Sequence, residues 1–195
     1  MSVHKSKGFS LIELVTTIAI LGVVGALAVP AFKGFRINSQ ISSMSGDMVS
    51  TVNQARSLAI STRTSVYVIQ GAGDAAGSVD IGSDWGEGWR ISRGATLATS
   101  TQISQVQRTG GFADVSVLVS NGDVDLDGNA SGAAITGFAF NNFGQLMTTD
   151  GLALSQAAIV ICAPEYESER GRTIAISRIG RITNNSVNNP SACDE

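Results

Sequence analysis

Histidine is almost missing from this sequence. The single example, His4, precedes a long apolar run, and removal of the short segment that carries it would leave none. A histidine general base, a Ser–His arrangement and an imidazole metal site would then all be absent. Cysteine is nearly as scarce: Cys162 and Cys193 are the only two, and no Cys-x-x-Cys pair exists to support thioredoxin-like redox chemistry. Charged residues make up 15% of the chain and the formal net charge is −3, so there is no general basic bias toward nucleic acid or anionic lipid. Asp and Glu are scattered without a nucleophile–base spacing, and Gly71-x-Gly73 lacks the following helix that a phosphate-cradling loop needs. These absences point to a protein that is not an enzyme and has no resident cofactor.

What is present can build a core. Hydrophobic residues account for 43% of 195 residues, which argues against a disordered chain and favours one domain with an appendage. The 22 glycines beside three prolines suggest many turns.

The appendage is at the start. Residues 1–8 are short and basic, and residues 9–29 follow as an apolar run whose only charge is Glu13. A run of that length spans a bilayer as a helix, for which about 20 residues are needed. A secretory signal peptide places its apolar run before the cleavage site and loses it; here the run comes after the basic leader. Lys5 and Lys7 predict a cytoplasmic N-terminus, with the bulk of the chain across the membrane. A carboxylate within such a span costs about 2.5–3.5 kcal/mol on insertion scales, so Glu13 calls for a partner or reaches the headgroups.

The string Gly8-Phe9-Ser10-Leu11-Ile12-Glu13-Leu14 resembles the class III signal of type IV pilins and type II secretion pseudopilins. The resemblance implies cleavage by a prepilin peptidase between Gly8 and Phe9 and N-methylation of Phe9. It also implies that Glu13 neutralises the N-terminal amine of a neighbouring subunit during assembly. Such a buried pair is tolerable only when both charges are satisfied, and it would select correctly staggered subunits. Pro30 falls where the family often bends its helix, and Gly22 and Gly25 weaken the helix before it.

Beyond Pro30, Ile37, Ile41, Met44, Met48, Val52, Ala55 and Ala59 recur at steps of three and four, the mark of one apolar helical face. One helix over residues 10–62 is therefore expected, bent at Pro30 or Gly34, with its second half packed on a sheet. From residue 64 the pattern turns to short β-type runs at 65–70, 89–92, 102–107, 115–119, 137–140, 157–162, 172–177 and 181–183. Their partial alternation suits strands with one covered face. Residues 71–88 hold six glycines and read as a mobile loop.

Gly88-Trp89, Phe140-Asn141-Asn142-Phe143-Gly144, Arg172-Thr173-Ile174-Ala175-Ile176-Ser177 and Gly180-Arg181-Ile182 resemble the H-type pseudopilin and FimT-type minor pilin pattern. That resemblance implies an α+β, type IV pilin-like fold in which a long N-terminal spine helix packs on a head of two small antiparallel sheets. The organisation expected is a leader (1–8), a transmembrane half-helix (9–29), an amphipathic half-helix (30–62) and a periplasmic β-rich head (63–195). The implied role is a low-abundance subunit that starts or tips a type IV pilus or a type II secretion pseudopilus. Its partners would be other pilins or pseudopilins, the prepilin peptidase and the inner membrane.

Three features of the head could carry more. In an oxidising periplasm Cys162 and Cys193 suit one disulfide, contributing roughly 3–4 kcal/mol on the chain-entropy model, with two free thiols as the alternative. Asp123, Asp125 and Asp127 precede Gly128 as in the first half of an EF-hand calcium loop, but Ala134 stands where the bidentate glutamate belongs. A solvated acidic turn and a weak Ca2+ site both fit. Some FimT-type minor pilins assist DNA uptake through a C-terminal Gly-Arg-x-Arg motif; here Gly180-Arg181-Ile182-Thr183 keeps the first arginine and loses the second. With Arg178 nearby, a DNA-binding minor pilin for natural transformation is the alternative reading. Glu165, Glu167 and Glu169 oppose it, and without Lys5 and Lys7 the remaining 11 basic side chains face 16 acidic ones, a net −5.

Overall fold

The computed structural model describes residues 10–71, 85–107, 115–123, 131–163 and 170–188. The chain divides into two compact units, residues 1–36 and residues 37–195. Helix α1, Leu11–Thr62, begins in the first and ends in the second. Its helical backbone continues unbroken through position 30. Of its four glycines, Gly22, Gly25 and Gly46 have nothing among the described residues within 4 Å of where a Cβ would stand.

In the second unit the period-3.6 stripe does what its spacing predicts. Ile37, Ile41, Met44, Met48, Val52, Ala55 and Ala59 are all buried. They meet the inner faces of two antiparallel sheets. Sheet A has the order β3-β2-β1-β5-β6, with β1 Val66–Gln70, β2 Gly88–Arg93, β3 Thr101–Gln107, β5 Gly137–Phe140 and β6 Leu146–Thr148. Sheet B has the order β4-β7-β8-β9, with β4 Ser116–Ser120, β7 Gln156–Cys162, β8 Arg170–Ser177 and β9 Ile182–Asn188. Val66, Val68, Trp89, Ile91, Phe138 and Phe140 from sheet A share one core with Val117, Val119, Ala157, Ile159, Ile161, Ile174 and Ile176 from sheet B. Truncating one such large side chain to alanine costs about 2–5 kcal/mol. Polar matching sets the helix register. The Trp89 indole Nε1–H donates to Thr51 Oγ1 at 2.7 Å, and the Thr51 hydroxyl donates to Asp47 O at 2.8 Å.

Several sequence expectations are corrected. β1 has both faces covered, because residues 94–100 fold back across its outer side. There Tyr67, Ile69, Ala139 and Met147 form a second small core against Leu97, and the Tyr67 hydroxyl donates to Ala95 O at 3.2 Å. The stretch 71–88 is not a loop throughout. Trp85–Glu87 make a 3₁₀ turn in which Trp85 is 4% exposed, stacks on Phe138 at 6.2 Å and donates its indole N–H to Ile135 O at 3.0 Å. Residues 72–84 lie outside the described residues. The strand foreseen at 181–183 extends through Asn188. Its polar side chains suit an edge, and its backbone is held by β8 from Ile176↔Ile182 to Arg170↔Asn188. β6, only three residues long, was not foreseen.

Candidate assembly surfaces

From Leu11 to Val24 the helix surface is mostly apolar and uncovered among the described residues. Leu11, Ile12, Leu14, Val15, Ile18, Ile20, Leu21, Val23 and Val24 are each more than half exposed. Glu13 sits in the first turn, where its carboxylate favours the positive end of the helix dipole. The turn is closed by Glu13 N–H and Leu14 N–H, which both reach Ser10 O, at 3.0 and 3.2 Å.

Two threonines follow, and both turn their hydroxyls inward. Thr17 Oγ1 donates to Glu13 O at 2.6 Å, with Leu14 O at 2.9 Å as the alternative acceptor; Thr16 Oγ1 reaches Ile12 O at 3.0 Å or Glu13 O at 3.1 Å. A hydroxyl that satisfies itself on the preceding turn lets a helix carry threonine into apolar surroundings. Glu13 has no such escape, because a carboxylate can only accept and cannot use the helix carbonyls. Within Leu11–Val24 it is the one side chain whose polarity needs a partner from outside the helix.

Of the other residues singled out from sequence, Gly8 and Phe9 lie outside the described residues. Cys162 closes β7, is buried, and is not a free thiol; Cys193 lies outside the described residues. Asp123 is a backbone clasp: its N–H donates to Ser131 Oγ at 2.8 Å, and its carbonyl accepts from Ser131 N–H at 2.8 Å. Asp125 and Asp127 fall among residues 124–130, outside the description, and among the described residues no cluster of three metal-ligating side chains forms.

Arg178 and Arg181 are both exposed, on the turn joining β8 to β9. Gly180 N–H donates to Ser177 O at 2.8 Å and Ser177 N–H to Arg181 O at 2.9 Å, which closes that turn tightly.

The same turn is locked to sheet A through Arg56, which its place between the stripe residues Ala55 and Ala59 marks in sequence as a solvent-facing side chain. Arg56 Nε donates to Gly144 O at 3.3 Å. A Cβ on Gly180 would stand 2.4 Å from Arg56 Nε, and one on Gly144 would stand 2.7 Å from Ile60 Cδ1. Both glycines have positive φ, +76° and +73°. Leu146 N–H donates to Arg178 O at 2.8 Å, so the β5–β6 and β8–β9 turns are bonded directly as well. Phe143 (75% exposed) and Ile179 (64%) project from these two fixed turns. The only earlier hint of the arrangement was the pair of glycine-bearing strings, which resembled a family pattern without giving its cause.

On the outer face of sheet A, Ser65, Tyr67, Leu97, Met147 and Asp150 line a recess. Burial pushes the Tyr67 phenol above its ordinary value, and a hydrogen bond from Ser65 offsets part of that.

A family model described as Type II transport protein GspH matches residues 45–180, from the buried helical stripe through the locked β8–β9 turn. The chain belongs to that family. A second model, the prokaryotic N-terminal methylation motif, matches residues 3–29. The type IV major alpha-pilin of Moraxella bovis is 28% identical over 149 residues, which is 76% of this chain and 84% of that pilin. Among solved structures, the minor pilin FimU of Pseudomonas aeruginosa is similar at 21% identity and a TM-score of 0.49, over 81% of this chain and 94% of FimU. The minor pseudopilin EpsH from the type 2 secretion system of Vibrio cholerae is similar at 8% identity and a TM-score of 0.48, over 75% of this chain and 96% of EpsH. The GspH match carries the assignment. As a GspH-family protein with the methylation motif, the chain is a structural subunit of the type IV filament class and not an enzyme.

Proposed function

We propose that this subunit works as a minor pilin or pseudopilin, helping to start or tip a type IV pilus or a type II secretion pseudopilus. Residues 9–29 span the inner membrane, with the leader 1–8 cytoplasmic and the head, 63–195, periplasmic. Among the described residues no helix is long and apolar enough to cross a membrane; that description takes in only Ser10 to Ala26 of the span with their side chains. Peptidase cleavage between Gly8 and Phe9, with N-methylation of Phe9, creates the cation that Glu13 of an adjoining subunit meets. Pro30 lets the helix bend on assembly, and Cys162 pairs with Cys193.

The observation that carries this reading is the state of Glu13. It is surrounded by exposed apolar side chains, and its threonine neighbours are already satisfied. In water nothing needs that arrangement; in an apolar filament core it leaves one charge for one incoming amine. The test replaces Glu13 by Gln and measures processing and recovery of the subunit in sheared filaments. Normal processing with loss from filaments supports the reading. Normal recovery of Glu13→Gln would remove its basis.

A second reading has one favouring observation: Arg178 and Arg181 are both exposed on one rigid turn. On that reading the turn contacts DNA phosphates during uptake.

A further inference from the structure

We propose that Phe32, Lys33, Phe35 and Arg36 form a collar that binds the anionic phosphate layer at the outer surface of the membrane. The inference rests on the reading of residues 9–29 as a span.

Phe32 is 74% exposed and Phe35 72%, and their rings lie 6.5 Å apart at 56°. A spacing of three places the two rings on one helix face, and Arg36 follows Phe32 by four, on the same face. Lys33 and Arg36 are exposed beside them. Two large rings side by side in water are costly, and an aromatic patch with adjoining cations is the composition of a helix segment resting at a membrane interface.

Depth agrees. At a rise of about 1.5 Å per residue, Phe32 to Arg36 lie about 4.5–10 Å beyond position 29. The polar layer on each side of a bilayer is about 5–8 Å thick. Phe32 and Lys33 therefore fall within the phosphate layer, and Phe35 and Arg36 lie just past it, where long helical side chains lean back toward the membrane. Immediately beyond it Ile37 is buried, so the collar is the last uncovered apolar element before the core stripe.

Charge selects the occupant. No acidic residue stands between Glu13 and Asp47, so Lys33 and Arg36 are the only charges on that part of the helix. A second copy of this chain offers the same cations and no carboxylate in the matching stretch, whereas anionic lipid offers many phosphates. Once the leader takes Lys5 and Lys7 away, the collar supplies the basic side chains nearest the membrane. It holds the subunit at fixed depth until filament growth withdraws it.

The experiment uses the full chain with Phe35→Trp in vesicles of phosphatidylcholine, with and without phosphatidylglycerol, carrying lipids brominated near the headgroup. Trp85 and Trp89 are 4% and 0% exposed, so lipid quenching reports position 35. The expected result is quenching that rises about twofold with phosphatidylglycerol and falls with salt. Lys33→Gln with Arg36→Gln should abolish that rise while the protein still floats with the vesicles. An unquenched tryptophan in floating protein overturns the collar, as does quenching that is blind to anionic lipid or gives way to protein contact at high protein-to-lipid ratio. Failure to float overturns the span and the collar with it.

Discussion

Arg56 donates its Nε–H to the carbonyl of Gly144 at 3.3 Å, across 88 positions of sequence, and that bond ties the spine helix to the β5–β6 turn. Gly180 of the other sheet presses on the same guanidinium stem. A single helical side chain thus sets how the two sheet ends meet, and with them the exposed tips Phe143 and Ile179.

Replacing Gly180 by alanine should therefore destabilise the head by about 1–3 kcal/mol, since the new Cβ meets Arg56 and the backbone remains at positive φ. Urea unfolding of residues 37–195 measures it. Gly46→Ala, where a Cβ meets nothing, should be neutral or slightly stabilising, because alanine is the better helix former.

Thr51→Val removes the 2.7 Å acceptor of the buried Trp89 indole while keeping nearly the same volume. A loss of about 1–3 kcal/mol is expected, without a change in the dependence on denaturant. Near-UV circular dichroism should report the tryptophan's altered surroundings.

Burial raises the Tyr67 phenol above 10.0 in the folded head. The unfolded chain then releases its proton first as pH rises, so it binds fewer protons than the native state and stability falls with pH. The contribution is intact below about pH 10 and is lost as pH rises from there through the folded value. Tyr67→Phe should flatten that alkaline decline, at a cost of about 1 kcal/mol for the bond to Ala95 O. Unfolding curves between neutral and alkaline pH decide the point.

For the β8–β9 turn, Arg181→Ala should leave incorporation into filaments unchanged, because the side chain is exposed and the turn closes through backbone groups and Ser177. If the turn contacts DNA, gel shifts with the head should show salt-sensitive binding whose salt slope drops by about one in the variant. Binding absent at low salt would end that second reading.

Much of this was legible because a single physical constraint acted locally. The stripe Ile37–Ile41–Met44–Met48–Val52–Ala55–Ala59 announces its buried face, since every member shares one side of one helix. Glu13 announces itself as the charge that apolar surroundings cannot hold alone. Other elements depend on distant partners. β6 is too short to show a period, and β9 is an Asn- and Ser-rich edge that becomes a strand because β8 supplies its backbone bonds and Ser45 its side-chain contact, Asn184 Nδ2 to Oγ at 2.9 Å. Trp85 looked like part of a glycine loop because nothing nearby in sequence reveals Phe138, on which it stacks. Arg56 read as a solvent-facing residue between buried neighbours. Only the fold brings Gly144 and Gly180 to it.

The chemistry of the new N-terminus tests the account most directly. Intact-mass and N-terminal peptide measurements on protein from its native host should show a chain that begins at Phe9 and carries one added methyl group. A chain that keeps Met1, or one trimmed past the apolar stretch at 9–29, would contradict it.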